Sequence, residues 1–128
     1  MGGSYPGALS AWFRYKYPHL TVAALASSAV VNSIEDFPQF DGQIYTSTQK
    51  SGNQCTKVIQ EITFKAQTYL SSKDSDAFKL QFGPTFVKLN NGEFLFMLAD
   101  AFVGQVQYGS RTTMCGAITS TSDPMKWI

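Results

Sequence analysis

Charge of either sign is scarce in this chain: Asp, Glu, Lys and Arg make up 15% of 128 residues, and ten basic against nine acidic residues leave a net charge of +1. The basic residues are scattered singly from Arg14 to Lys126, with no run able to follow a phosphate backbone. Nucleic acid and anionic membrane surfaces are therefore poor partners. Long apolar runs are missing too. The longest, Val22 to Val31, is interrupted by Ser27 and Ser28 and falls short of the roughly 18–20 apolar residues of a membrane span. The first residues carry neither a basic nor an apolar segment, and Pro6 stands where a myristoylation signal needs Ser or Thr, so no address is expected from them. Histidine occurs once, as His19, and cysteine twice, as Cys55 and Cys115, with no further ligand at metal spacing. No metal and no cofactor are expected, and the two cysteines fit either one disulfide or two free thiols.

Apolar and aromatic residues are what the chain has in quantity, at 44% and 14%. That balance builds a core, and the length suits about one small domain. The opening Gly2-Gly3-Ser4-Tyr5-Pro6-Gly7 is a tight turn running into a predicted helix from about Gly7 to Tyr17, which Pro18 stops. Leu20 to Ala26 is a nearly continuous apolar run of small and β-branched residues, the pattern of a strand buried on both faces of a parallel sheet. Turn, helix and strand form one α/β unit over residues 1–31. From Asn32 to Asn53 the texture turns polar, which predicts a loop or linker and opens a second region, 32–128. There Cys55, Val58, Ile59, Ile62, Ala66 and Tyr69 share one helical face. A further helix is predicted from about Glu93 to Gln107, carrying Phe94, Met97, Leu98, Ala101 and Phe102, with Asn91-Gly92 as its entry turn.

A serine preceded by glycines at the entrance to a helix is the local signature of a nucleophile elbow, a strained strand-to-helix turn that lifts a hydroxyl out of the fold. Glycines are needed there because a Cβ would strike the neighbouring strand or helix. The usual G-x-S-x-G reads Gly2-Gly3-Ser4-Tyr5-Pro6 here, with the following glycine displaced to Gly7. Taken alone, the pattern also fits a simple helix cap.

The longer string Gly2-Gly3-Ser4-Tyr5-Pro6-Gly7-Ala8-Leu9-Ser10-Ala11-Trp12-Phe13-Arg14-Tyr15-Lys16-Tyr17-Pro18-His19, with Ala24-Leu25-Ala26-Ser27-Ser28-Ala29, resembles the S28 family of serine peptidases. Ser51 to Cys55, Val106 to Tyr108 and Cys115-Gly116 look most like its thymus-specific branch. Pro6 departs from the family's small residue after Ser-Tyr, and Val30 from its proline after Ser-Ser-Ala. The resemblance implies a partial α/β-hydrolase fold, with nucleophile elbow, helix and sheet strand over 1–31, followed by part of a helical lid over 32–128. It makes Ser4 the nucleophile of an exopeptidase, of the prolyl carboxypeptidase or dipeptidyl peptidase kind, and the Tyr5 backbone amide one oxyanion donor. In this fold the acid and the base follow the nucleophile on loops after late strands, which places them beyond Ile128. His19, past the end of a helix and on the order of 15 Å from Ser4, is out of reach as the base and is expected to be structural. Asp36, Asp41 and Asp100 then have no imidazole to orient.

The resemblance also implies a Cys55–Cys115 disulfide within the lid. Ala8 stands where proline-cleaving members carry a Met that lines the substrate pocket, so a wider pocket with weaker proline preference is expected. Peptides are the implied substrates, the implied compartment is lysosomal, endosomal or secreted, and a homodimer of the parent enzyme is compatible. The 128 residues alone are expected to be inactive. The competing expectation is a truncated, non-catalytic product acting as a binding or interaction module.

Overall fold

The computed structural model describes residues 1–127 and divides into two compact units, one ending at Phe37 and the other beginning at Pro38. In the first unit a two-residue strand β1 (Gly2–Gly3) runs directly into helix α1 (Ser4–Lys16). Pro6 sits in the first turn of α1, where a missing N–H leaves no helical hydrogen bond unmade. Arg14 and Lys16 occupy the last turn, where cations complement the helix dipole, and Arg14 Nη1 reaches past the end to the Pro18 carbonyl at 2.7 Å.

Strand β2 (Ala26–Ser27) pairs with β1 in parallel, Gly2 with Ala26 and Gly3 with Ser27. The parallel sense agrees with the sequence pattern, but the length does not. A strand was expected over Leu20–Ala26, buried on both faces; instead Leu20, Val22 and Leu25 are exposed, Val22 at 99%. Among the described residues the ladder takes in Ala26 and Ser27 and not the apolar residues that precede them.

The second unit is helical: α2 (Gln39–Gln49), α3 (Asn53–Leu70), α4 (Ser75–Leu80), α5 (Asn91–Gln107) and α6 (Arg111–Ser120), with short 3-10 turns at Phe86–Lys88 and Pro124–Trp127. Helix α2 replaces part of the expected linker. Its inward stripe includes Ile44, Ser47 and Thr48, and the fully buried Thr48 donates its hydroxyl to the Tyr45 carbonyl at 2.8 Å and shares a second hydrogen bond with Thr56. Hydroxyls satisfied in this way let a polar stretch pack as a helix.

The predicted face of α3 is the buried one, with Cys55, Val58, Ile62 and Ala66 inside. Leu70 takes the inward place expected of Tyr69, whose ring lies half-exposed and stacks on Phe78 at 5.0 Å. α5 begins at Asn91, two residues before the expected start, so the expected entry turn is its first turn, because Asn90 and Glu93 form a reciprocal capping box. Two cores result. One surrounds a Cys55–Cys115 disulfide and includes Val58, Ile62, Phe102, Met114 and Ile118. The other is an aromatic cluster in which Phe94 meets the rings of Phe78, Phe82 and Phe86 at 5.7, 5.1 and 6.3 Å. Lys79 is buried beside it and donates to the Leu89 carbonyl at 2.8 Å. No helix among the described residues is long and apolar enough to cross a membrane.

Candidate functional site: the strand-to-helix turn at Ser4

Ser4 is the first residue of α1 and follows β1 without a connecting loop, so the chain must turn within a single residue. The turn is made by a left-handed backbone at Ser4, φ +56°, which costs an L-residue on the order of 1–2 kcal/mol. Two glycines make room for it. A Cβ on Gly2 would stand 2.3 Å from the Pro6 carbonyl oxygen, so the first turn of α1 closes directly over that residue. A Cβ on Gly7 would lie 2.9 Å from the Gly2 carbonyl oxygen and 3.1 Å from both the Ser27 carbonyl oxygen and the Ala29 Cβ, so α1 lies against the segment that leaves β2. The displaced glycine of the sequence motif is therefore used, at the position where the helix passes the neighbouring strand.

Hydrogen bonds tie this turn to β2 and its approaches. The Gly2 N–H and the Ser10 hydroxyl both reach the Leu25 carbonyl, at 2.9 and 3.0 Å, and Ser10 lies equally close to the Gly7 carbonyl at 3.0 Å. Trp12 Nε1 donates to the Val31 carbonyl at 3.3 Å, and the Tyr5 ring meets the Trp12 ring edge-on at 6.4 Å. The Ser10 clamp has no signature in the sequence, where a helical serine shows only as a neutral helix residue.

Ser4 and Tyr5 are exposed, whereas Ala8, one turn further along α1, is 0% exposed. His19 lies beyond the far end of α1 and packs edge-on against Tyr17 at 6.4 Å. A helix of 13 residues spans about 20 Å, which keeps the imidazole away from Ser4. Asp36 lies after β2 in the first unit; Asp41 and Asp100 lie on α2 and α5 of the second. Cys55 and Cys115 are joined. The second unit carries open clefts of about 630 Å³, lined by Phe64, Tyr69, Phe78 and Lys126, and about 360 Å³, lined by Ile62, Ala66, Phe96 and Leu98. A serine held at the carboxyl end of a parallel strand, strained, exposed and followed by a helix N-terminus, is placed to attack an electrophile and to have the resulting negative charge met by backbone N–H groups.

Comparison with known proteins finds serine proteases and peptidases. Over 114 residues the chain is 44% identical to a probable serine protease of Arabidopsis thaliana, covering 89% of this chain and 22% of that protein. It is 32% identical over 120 residues to the human thymus-specific serine protease, covering 87% of this chain and 23% of the other. With human lysosomal Pro-X carboxypeptidase it shares 47% identity over 62 residues, 46% of this chain and 12% of the other. The chain thus spans about a fifth or less of the length of these relatives. No solved structure matches it. The family described as serine carboxypeptidase S28 matches residues 1–126, and a match that runs through both the Ser4 turn and the helical unit shows that the chain belongs to this family of serine peptidases.

Proposed function

We propose that Ser4 is the nucleophile of a serine exopeptidase and that this chain is the nucleophile-bearing piece of a longer enzyme, residues 1–31 belonging to its α/β-hydrolase core and 32–128 to its helical lid. The observation that carries the reading is the left-handed, exposed Ser4 between β1 and α1, with Gly2 and Gly7 packed too closely for any side chain. In the reaction, the Ser4 Oγ bonds to the scissile carbonyl carbon as its proton passes to a histidine base. The carbonyl oxygen takes the negative charge and accepts a hydrogen bond from the Tyr5 N–H, one donor of this kind being worth about 3 kcal/mol. The tetrahedral intermediate expels the amine, which takes up the proton, and leaves an ester on Ser4 that water hydrolyses.

Base and acid belong to sequence outside these residues, because His19 is beyond reach. Without a base the serine hydroxyl is a weak nucleophile, so the 128-residue chain alone has no peptidase activity. Ala8 contributes to the pocket through its place one turn from Ser4; since its methyl is covered, a longer side chain there displaces whatever covers it. The disulfide supports a lysosomal, endosomal or secreted location, where oxidised cysteines persist. The test is a fluorophosphonate probe and a peptide substrate applied to the full-length protein that carries this sequence. Wild type labels on Ser4 and turns over peptide, and Ser4→Ala loses both, turnover by on the order of 10⁶-fold. Turnover that survives Ser4→Ala refutes the assignment, and a wild-type protein that neither labels nor turns over peptide leaves the interaction module as the better reading.

A further inference from the structure

Five residues of the described chain have a positive φ, and they divide by residue type. In the second unit they are Gly52, Gly83 and Gly109, the residue that adopts this conformation without steric cost. In the first unit they are serines, Ser4 at +56° and Ser28 at +46°. The two serines occupy matching places. Gly3 pairs with Ser27 in the parallel ladder, and each serine is the next residue, at the carboxyl end of its own strand. Paired strands run about 4.8 Å apart, so the two strained turns stand side by side. Both serines are exposed, and neither hydroxyl makes a hydrogen bond with another described residue.

Where this chain needs only a left-handed turn it uses glycine. At Ser28 it keeps a side chain in spite of the strain, as it does at the proposed nucleophile, and strained non-glycine residues cluster at functional sites. Ligands of parallel sheets bind outside the carboxyl ends of the strands, the edge that Ser4 and Ser28 share. We propose that Ser28 is a substrate-contacting residue: its hydroxyl hydrogen-bonds the main chain of the peptide lying across Ser4, holding the scissile bond in register for attack. The proposal rests on Ser4 being the nucleophile. Ser28 takes no part in bond making, since no helix begins at it, as α1 begins at Ser4, to meet the charge of an attacked carbonyl.

The experiment compares Ser28→Gly, Ser28→Asn and wild type in the full-length protein, by two readouts. Gly relieves the backbone strain and so keeps the fold while deleting the hydroxyl; Asn tolerates the left-handed turn and restores a hydrogen-bonding group. A small fluorophosphonate, which has no peptide main chain, should label Ser4 at the wild-type rate in both variants. On a peptide substrate, kcat/KM of Ser28→Gly should fall about tenfold, the size of one lost hydrogen bond, with partial recovery in Ser28→Asn. Normal labelling together with unchanged kcat/KM in Ser28→Gly overturns the proposal and leaves Ser28 as a turn residue. A matching loss of labelling and turnover overturns it too, because the serine would then act on the elbow and not on the peptide. Absence of Ser4 labelling in wild type defeats the nucleophile reading, and this one with it.

Discussion

The two units are held together by different means. In the second, a disulfide, a layer of aliphatic residues and a cluster of phenylalanines exclude water from both cores. In the first, Ala8 is the single buried hydrophobic residue, while Leu20, Val22, Leu25, Val30, Val31, Ile34 and Phe37 are exposed. The Ser4 turn is defined by glycine contacts, by a two-residue ladder and by hydrogen bonds converging on the Leu25 carbonyl. Burial makes the helical unit stable by many small, tolerant contacts. Steric fit makes the turn accurate by a few contacts that tolerate nothing.

If that contrast is right, the most damaging single change is the smallest. Gly2→Ala adds one methyl 2.3 Å from the Pro6 oxygen. It should displace Ser4 and slow fluorophosphonate labelling of the full-length protein by about 100-fold or more, since misplacement by an ångström has that effect. Labelling at the wild-type rate would show that the turn is softer than its contacts imply. In the second unit the largest loss should come from Phe94→Ala, which empties the centre of the aromatic cluster and costs about 3–5 kcal/mol. Urea unfolding followed by far-ultraviolet circular dichroism measures it, and a loss below about 1 kcal/mol would mean that neighbouring rings collapse into the space.

Reduction of Cys55–Cys115, which closes a separation of 60 residues, should cost about 4 kcal/mol by loop entropy. Intact mass with alkylation reads the bond itself: two alkylatable thiols in the unreduced, denatured protein would contradict the pairing. The smallest effect sharpens the comparison most. Ala8→Met in the full-length protein should raise the ratio of kcat/KM for Pro over Leu before the scissile bond by about 1–3 kcal/mol of discrimination. An unchanged ratio with a stability loss of about 1–3 kcal/mol identifies Ala8 as a packing residue of the first unit, where overfilling is the expected penalty.

Much of the helical unit was legible because its signal is periodic. Cys55, Val58, Ile62 and Ala66 repeat at helical spacing, as do Phe94, Leu98 and Phe102, and all are buried. Helix α2 was not legible, since Ser47 and Thr48 face inward and read as loop residues until Tyr45 and Thr56 are seen to satisfy the Thr48 hydroxyl. The strand over Leu20–Ala26 failed for the opposite reason. Its residues suit a buried strand, but burial depends on what pairs with and covers a strand, which apolar spacing does not encode. Among the described residues the ladder takes in Ala26 alone of that stretch. At the candidate site, Ser4 could be singled out from its glycines and its resemblance, whereas Ser28 could not, because serine rarely adopts a positive φ and nothing in Ala26-Ser27-Ser28-Ala29 announces one.

The sequence by itself determined what depends on near neighbours: a glycine-flanked serine opening a helix, a proline closing it, two amphipathic helices and a family whose chemistry is written in about thirty consecutive residues. Only the tertiary structure decided what depends on residues distant along the chain. It brought Gly7 against Ala29, aimed Gly2 and Ser10 at one carbonyl, joined Cys55 to Cys115 and set Ser28 beside Ser4. Local preference acts over a few residues and leaves a pattern that can be read in order, whereas strand register and side-chain contact are settled by which surfaces meet.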